Sequence, residues 1–61
     1  MWIKTQNGEY YNADFLEKMF LDSSNYTCFR FSGGYLSVPG DIRETVMECI
    51  LSRVDIMEVE V

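Results

Sequence analysis

Residues Tyr26 to Gly40 read YTCFRFSGGYLSVPG, two runs of strand-forming residues parted by Gly33-Gly34. Side chains alternate across a strand, so Tyr26 to Phe31 places Thr27, Phe29 and Phe31 on one face. Tyr26, Cys28 and Arg30 fall on the other. Gly33-Gly34 supplies a tight turn, and Tyr35 to Val38 returns as the next strand. Leu36 and Val38 then join Phe29 and Phe31 on a core face, while Tyr35 and Ser37 point away. Pro39-Gly40 ends the sheet.

Downstream, the period changes from two to 3.6. Ile42, Val46, Cys49, Ile50 and Val54 recur at helical spacing and form one apolar stripe. Met47 and Leu51 widen that stripe on one flank, and Arg43, Glu44, Glu48 and Ser52 occupy the opposite side. Asp41 with Glu44 makes an acidic variant of the capping box at the helix start. The spacing predicts a helix over about 42–53, laid on one face of the sheet. No glycine marks its end, so a helix running past Val54 is an alternative. Met57, Val59 and Val61 alternate with Glu58 and Glu60, as a strand or an extended tail does. Such a strand would join this sheet or the sheet of a partner chain.

Upstream, Trp2-Ile3-Lys4-Thr5 alternates apolar with polar, and Tyr10-Tyr11 resumes the pattern after Asn7-Gly8. Asn-Gly is the strongest short hairpin signal, because both residues tolerate the positive φ of a type I′ turn. Residues 13–22 read two ways. Phe15, Leu16, Met19 and Phe20 have helical spacing with Asn12 as a cap, whereas Met19 and Leu21 alternate with Lys18, Phe20 and Asp22 as in a strand. Ser23-Ser24-Asn25 is a turn. The elements together predict an α+β fold: one antiparallel meander of four to five strands with one helix packed across it, a single domain over 1–61.

A chain of 61 residues buries only about 60% of the surface its unfolded form exposes, so it needs some further source of stability. Cys28 and Cys49 are distant in sequence, lie on different elements, and read as two free buried thiols. With no histidine and two cysteines, a structural metal is not expected, nor is any other cofactor. Oligomerisation is the aid that remains. No basic stretch followed by an apolar run opens the chain, and no apolar segment reaches the ~18 residues that span a bilayer. The expected location is the cytoplasm, with no membrane contact.

Catalytic signatures are missing. The chain has no histidine and no GxSxG, P-loop or GxGxxG pattern, and neither cysteine has a visible activating base. Glu44 and Glu48, at i, i+4 spacing, read as a solvated helix face. The expectation is therefore a non-enzymatic protein with no catalytic residues.

What stands out is the aromatic excess. Nine residues are aromatic, all within the first 35 positions, and one helix can cover only one face of a sheet. Trp2, Tyr10, Phe20, Tyr26 and Tyr35 are the residues expected at an interface, with Met57 and Val59 of the closing segment. Tyrosine and tryptophan suit protein interfaces because they combine apolar area with a polar tip. The predicted function is a small accessory or regulatory protein acting through protein contacts, as a homodimer. The alternative is single-stranded nucleic-acid binding by the aromatic sheet face. It is disfavoured by a net charge of −5, since an acidic chain repels phosphate backbones. Residues 41–61 carry six acids against two bases, which also fits a basic protein target. On that account Glu44, Glu48, Glu58 and Glu60 form the contact.

Trp2-Ile3-Lys4-Thr5, Asn7-Gly8 and Asn12 resemble the opening of short uncharacterised proteins of bacteria, their phages and mobile elements, which begin W-I-x-T-x-x-G with an asparagine soon after. The resemblance covers the N-terminal dozen residues. It implies short strands followed by one helix, and so a helical turn near 13–17 leading into a strand near 18–22. It implies no activity and carries over no functional residues.

Overall fold

The computed structural model describes residues 1–61. In order, the elements are β1 (Trp2–Lys4), β2 (Tyr10–Asn12), a 3-10 turn (Ala13–Phe15), β3 (Leu16–Leu21), β4 (Tyr26–Phe31), β5 (Gly34–Pro39), α1 (Arg43–Leu51) and β6 (Ile56–Glu58). The α+β class, the antiparallel strands and the one helix are as the sequence predicts. The strands number six and divide into two three-stranded sheets. One is the meander β3-β4-β5. The other, in the order β2-β1-β6, closes the chain's two ends together.

In the meander sheet β4 is central and pairs antiparallel with both neighbours, Phe29 facing Met19 on one side and Leu36 on the other. Thr27, Phe29, Phe31, Leu36 and Val38 are all buried, the face the alternation assigns to the core. β3 explains why its own sequence reads two ways. Leu16 pairs with Phe31 and Lys18 with Arg30, so the strand spends one extra residue, Glu17, in a bulge. A bulge shifts the alternation by one. Leu16 and Met19, three apart, therefore both pack on the core, and a strand acquires helix-like spacing. The preceding turn is short: Asn12 caps it by accepting a hydrogen bond from the Asp14 amide at 3.0 Å. The strand thus begins at Leu16 rather than Lys18.

The closing sheet contains the predicted hairpin, Ile3 facing Tyr11 and Lys4 facing Tyr10. Its loop is not the expected type I′ turn. Thr5 and Glu9 pair across it (Thr5 N to Glu9 O, 2.9 Å), and the Gly8 amide donates to Thr5 O at 3.1 Å. Only Gly8 takes a positive φ, +86°; Asn7 does not. This is the three-residue loop that ends in a left-handed glycine. Asn7 contributes a side-chain oxygen that accepts from the buried Thr5 hydroxyl.

β6 settles the closing segment. It pairs parallel to β1, Ile3 beside Met57, and the extended pairing continues with Val59 N to Lys4 O at 3.0 Å. Met57 and Val59, expected at an interface, are instead buried in the chain's own core with Ile3, Phe29, Phe31, Leu36, Val38 and Val46. The alternation was sound, but the surface it covers belongs to this molecule. Tyr11 closes one side of that core, its ring stacked 5.4 Å from Phe31.

The helix is shorter than the apolar stripe suggests. Val46 alone is fully buried, while Ile42, Cys49 and Val54 are half-buried. Met47 and Leu51 are exposed, so the expected widening on that flank lies in solvent, and Ile50, expected in the stripe itself, is 37% exposed. Asp41 does not close a capping box. It pairs with Arg43, accepting from Nε at 2.9 Å and from the Arg43 amide at 3.3 Å. The helix start is anchored from the sheet: the buried Thr27 hydroxyl donates to Gly40 O at 2.6 Å and accepts from the Ile42 amide at 3.0 Å. At the other end Arg53 takes φ +57°, the left-handed position usually given to glycine. Its amide donates to Ile50 O at 3.1 Å and the Val54 amide to Cys49 O at 3.0 Å, the paired bonds of a Schellman motif. That turn stops the helix and redirects the chain into β6.

Candidate functional site

The two sheets enclose the core between their inner faces and the helix, so each leaves an outer face bare. The predicted interface residues divide between these faces. Trp2 and Tyr10 lie on the closing sheet with Ile56, and the three line a shallow apolar depression. Lys4 covers part of it, its ammonium 5.8 Å from the Tyr10 ring centre. Phe20, Tyr26 and Tyr35 lie on the meander sheet. They form a second surface, with no residue in common with the first.

Strand register builds the meander face row by row. Lys18, Arg30 and Tyr35 form one row across the three strands, and Phe20, Cys28 and Ser37 form the next. Tyr26 and Pro39 make a third, beside Asp22 at the strand end. Asp22 is committed to the turn: one carboxylate oxygen accepts from the Ser24 and Tyr26 amides, each at 2.9 Å. Its other oxygen lies 3.7 Å from the Cys28 sulfur, and Ser37 Oγ lies 3.9 Å from that sulfur on the far side. Cys28 is therefore the floor of this surface, 1% exposed beneath a rim of Phe20, Tyr26 and Tyr35. The Tyr35 phenol is held above its ordinary pKa, chiefly by the neighbouring Cys28 side chain, then by desolvation and the negative charge of Asp22.

Cations mark the upper row. Lys18 and Arg30 are direct cross-strand neighbours, and the Lys18 ammonium leans to 4.9 Å from the centre of the Phe20 ring. The chain's ion pairs are the Met1 amine with Asp14 and Arg43 with Asp41, so neither Lys18 nor Arg30 has one. This pair was missed in the sequence because the loop is Ser32-Gly33, which pairs Phe31 with Gly34 and Arg30 with Tyr35, whereas a turn at Gly33-Gly34 would set Arg30 opposite Ser37. Ile56 was missed because its strand partner is distant in sequence. Both cysteines are free thiols, and no cluster of three metal-ligating side chains occurs. The meander face thus offers aromatic area, hydroxyl tips and two unpaired positive charges, with its thiol closed off from solvent.

No family model matches the chain, and no curated protein or solved structure does. No helix is long and apolar enough to cross a membrane.

Proposed function

We propose that this chain is a non-enzymatic binding module, a small accessory or regulatory protein that acts through protein–protein contacts and associates with itself. The observation that carries this reading is the meander face. Tyr26 and Tyr35 are 41% and 55% exposed, in the rows on either side of Phe20, on a sheet face that nothing else in the chain covers. Aromatic residues with polar tips, an arginine and a polar rim are what protein interfaces concentrate. Small size supports self-association, since only 11 of 61 residues are buried and an interface adds the burial a short chain lacks. A basic protein target would meet the exposed acids Glu44, Glu48, Glu58 and Glu60.

Light scattering coupled to size exclusion tests self-association directly. A dimer at micromolar concentration is expected, with Tyr26→Ala/Tyr35→Ala shifting it towards monomer. A wild-type monomer throughout that range overturns self-association.

The unpaired Lys18 and Arg30 beside Tyr35 and Phe20 favour one second reading, single-stranded nucleic-acid binding by base stacking beside cations. It predicts a salt-dependent shift on single-stranded RNA or DNA that Tyr35→Ala abolishes. An absence of binding at low salt removes it.

A further inference from the structure

We propose that the meander face packs on the same face of a second copy, with Lys18 of each copy meeting Asp22 of the other. This deepens the self-association proposed above and rests on it. The face has two electrical ends. Lys18 and Arg30 share the row at one end, and Asp22 closes the other, its amide donating to Tyr26 O at 2.9 Å. The uncharged row of Phe20, Cys28 and Ser37 lies midway between them. Four residues of extended chain hold Lys18 and Asp22 roughly 13 Å apart, too far to pair within one molecule. None of Lys18, Arg30 and Asp22 has an ion-pair partner in its own chain. One Asp22 oxygen serves the Ser24 and Tyr26 amides, and the other has only the Cys28 thiol at 3.7 Å, a weak donor.

A two-fold axis lying in the interface turns one copy over onto the other, and every contact across it is made twice. Set along the middle row, the axis reverses the strand direction and exchanges the two end rows. Lys18 then faces Asp22, Arg30 faces the ring of Tyr26, Tyr35 faces Pro39, and Phe20 meets its own counterpart. Cations thus meet a carboxylate and an aromatic ring, and apolar surface meets apolar surface. An axis along the strands would instead set Arg30 against Arg30 and turn Asp22 towards Pro39. Charge therefore selects the first arrangement. Sheets packed face to face stand about 10 Å apart with strands within about 30°, a gap that the long side chain of Lys18 can cross. Nothing obstructs the approach, because the helix and the closing sheet pack on the opposite, inner face, where Val46, Ile3 and Met57 meet Phe29 and Val38.

Dimer dissociation constants of the intact chain, read from a dilution series, test the pairing. K18E sets acid against Asp22 at both contacts and should weaken the dimer by about a hundredfold. D22N removes the attraction while keeping an oxygen for the two turn amides, and should weaken it by about tenfold. K18E/D22N faces no like charges and should match D22N alone, a recovery of about tenfold over K18E. That recovery also shows that K18E is folded. Were net charge alone at work, D22N would tighten the dimer of a chain at −5, so a tighter D22N dimer overturns the inference. A double variant no tighter than K18E overturns it too. A wild-type dimer indifferent to K18E overturns it and leaves self-association standing. A wild-type chain that stays monomeric overturns both, and one that then binds single-stranded RNA through Lys18 and Tyr35 gives the face to nucleic acid instead.

Discussion

The meander sheet and the closing sheet are built from similar residues by opposite logic. β3, β4 and β5 follow one another along the chain, joined by the short turns at 22–25 and 32–33, and every pairing is antiparallel. The closing sheet places β1 between its sequence neighbour β2 and β6 from the far end, with β6 parallel. Local hairpins close at small entropic cost, whereas the β1–β6 pairing must organise the whole intervening chain first. Yet both sheets share one core, since Ile3, Met57 and Val59 pack with Phe29 and Phe31. Local construction does not make the meander sheet independent.

Removing Ile56–Val61 breaks this comparison most severely. The expected result is loss of all cooperative structure, because a chain of this size has little stability in reserve. Amide exchange that remains slow in β4 and β5 after the deletion would instead mean that the meander sheet stands alone. Met57→Ala is the milder form and should cost about 2–5 kcal/mol in denaturant unfolding.

The link between the sheets gives smaller effects. Thr27→Val strips the hydroxyl that joins Gly40 O to the Ile42 amide, leaving a buried acceptor and donor unpaired. A loss of about 1–3 kcal/mol is expected, and Thr27→Ser should recover part of it. At the other end of the helix, Arg53→Gly should stabilise by roughly 1 kcal/mol, since a residue with a Cβ is strained at positive φ. A thermal melt that falls on this substitution would show that the Arg53 side chain does more than end the helix.

The smallest effect is electrostatic. Hydrogen bonds from Arg43 hold the Asp41 carboxyl below its ordinary range. A depressed pKa contributes stability that is present above the unfolded carboxylate pKa and is lost as pH falls through the folded value. Asp41→Asn should therefore flatten the acid limb of the stability profile slightly. Because the pair is solvent-exposed, added salt should mute the difference.

Legibility in the sequence follows the same division. The β4–β5 hairpin was readable because the glycine pair marks a turn and Phe29, Phe31, Leu36 and Val38 mark its inner face, although the loop is Ser32-Gly33 and Gly34 already pairs with Phe31. The β1–β2 pairing was equally readable from Asn7-Gly8, although the loop chemistry differed: Asn7 uses its side chain rather than its backbone. The β3 bulge hid behind its own spacing, since an extra residue makes strand periodicity mimic a helix. The role of Thr27 was invisible, because its partners Gly40 and Ile42 are brought to it only where the chain turns after β5, at Gly40 with φ +89°. The partner of β6 was left open, since alternation reports a covered face and not what covers it. For the candidate site, Phe20, Tyr26 and Tyr35 were found by exclusion from the core. Their division from Trp2 and Tyr10 needed the two-sheet arrangement.

The parallel pairing of β1 with β6 also governs when this protein can fold during its synthesis. Ile3 leaves the ribosome before the meander strands, and Met57 and Val59, which complete its packing, leave after them. Until they emerge the nascent chain holds a meander whose inner face is only partly covered, with Phe29 and Phe31 open to other chains. The bulge and charged residues of β3 help protect an exposed edge in that interval. Exposure of that inner face during synthesis is thus set by how quickly translation delivers β6 after β5.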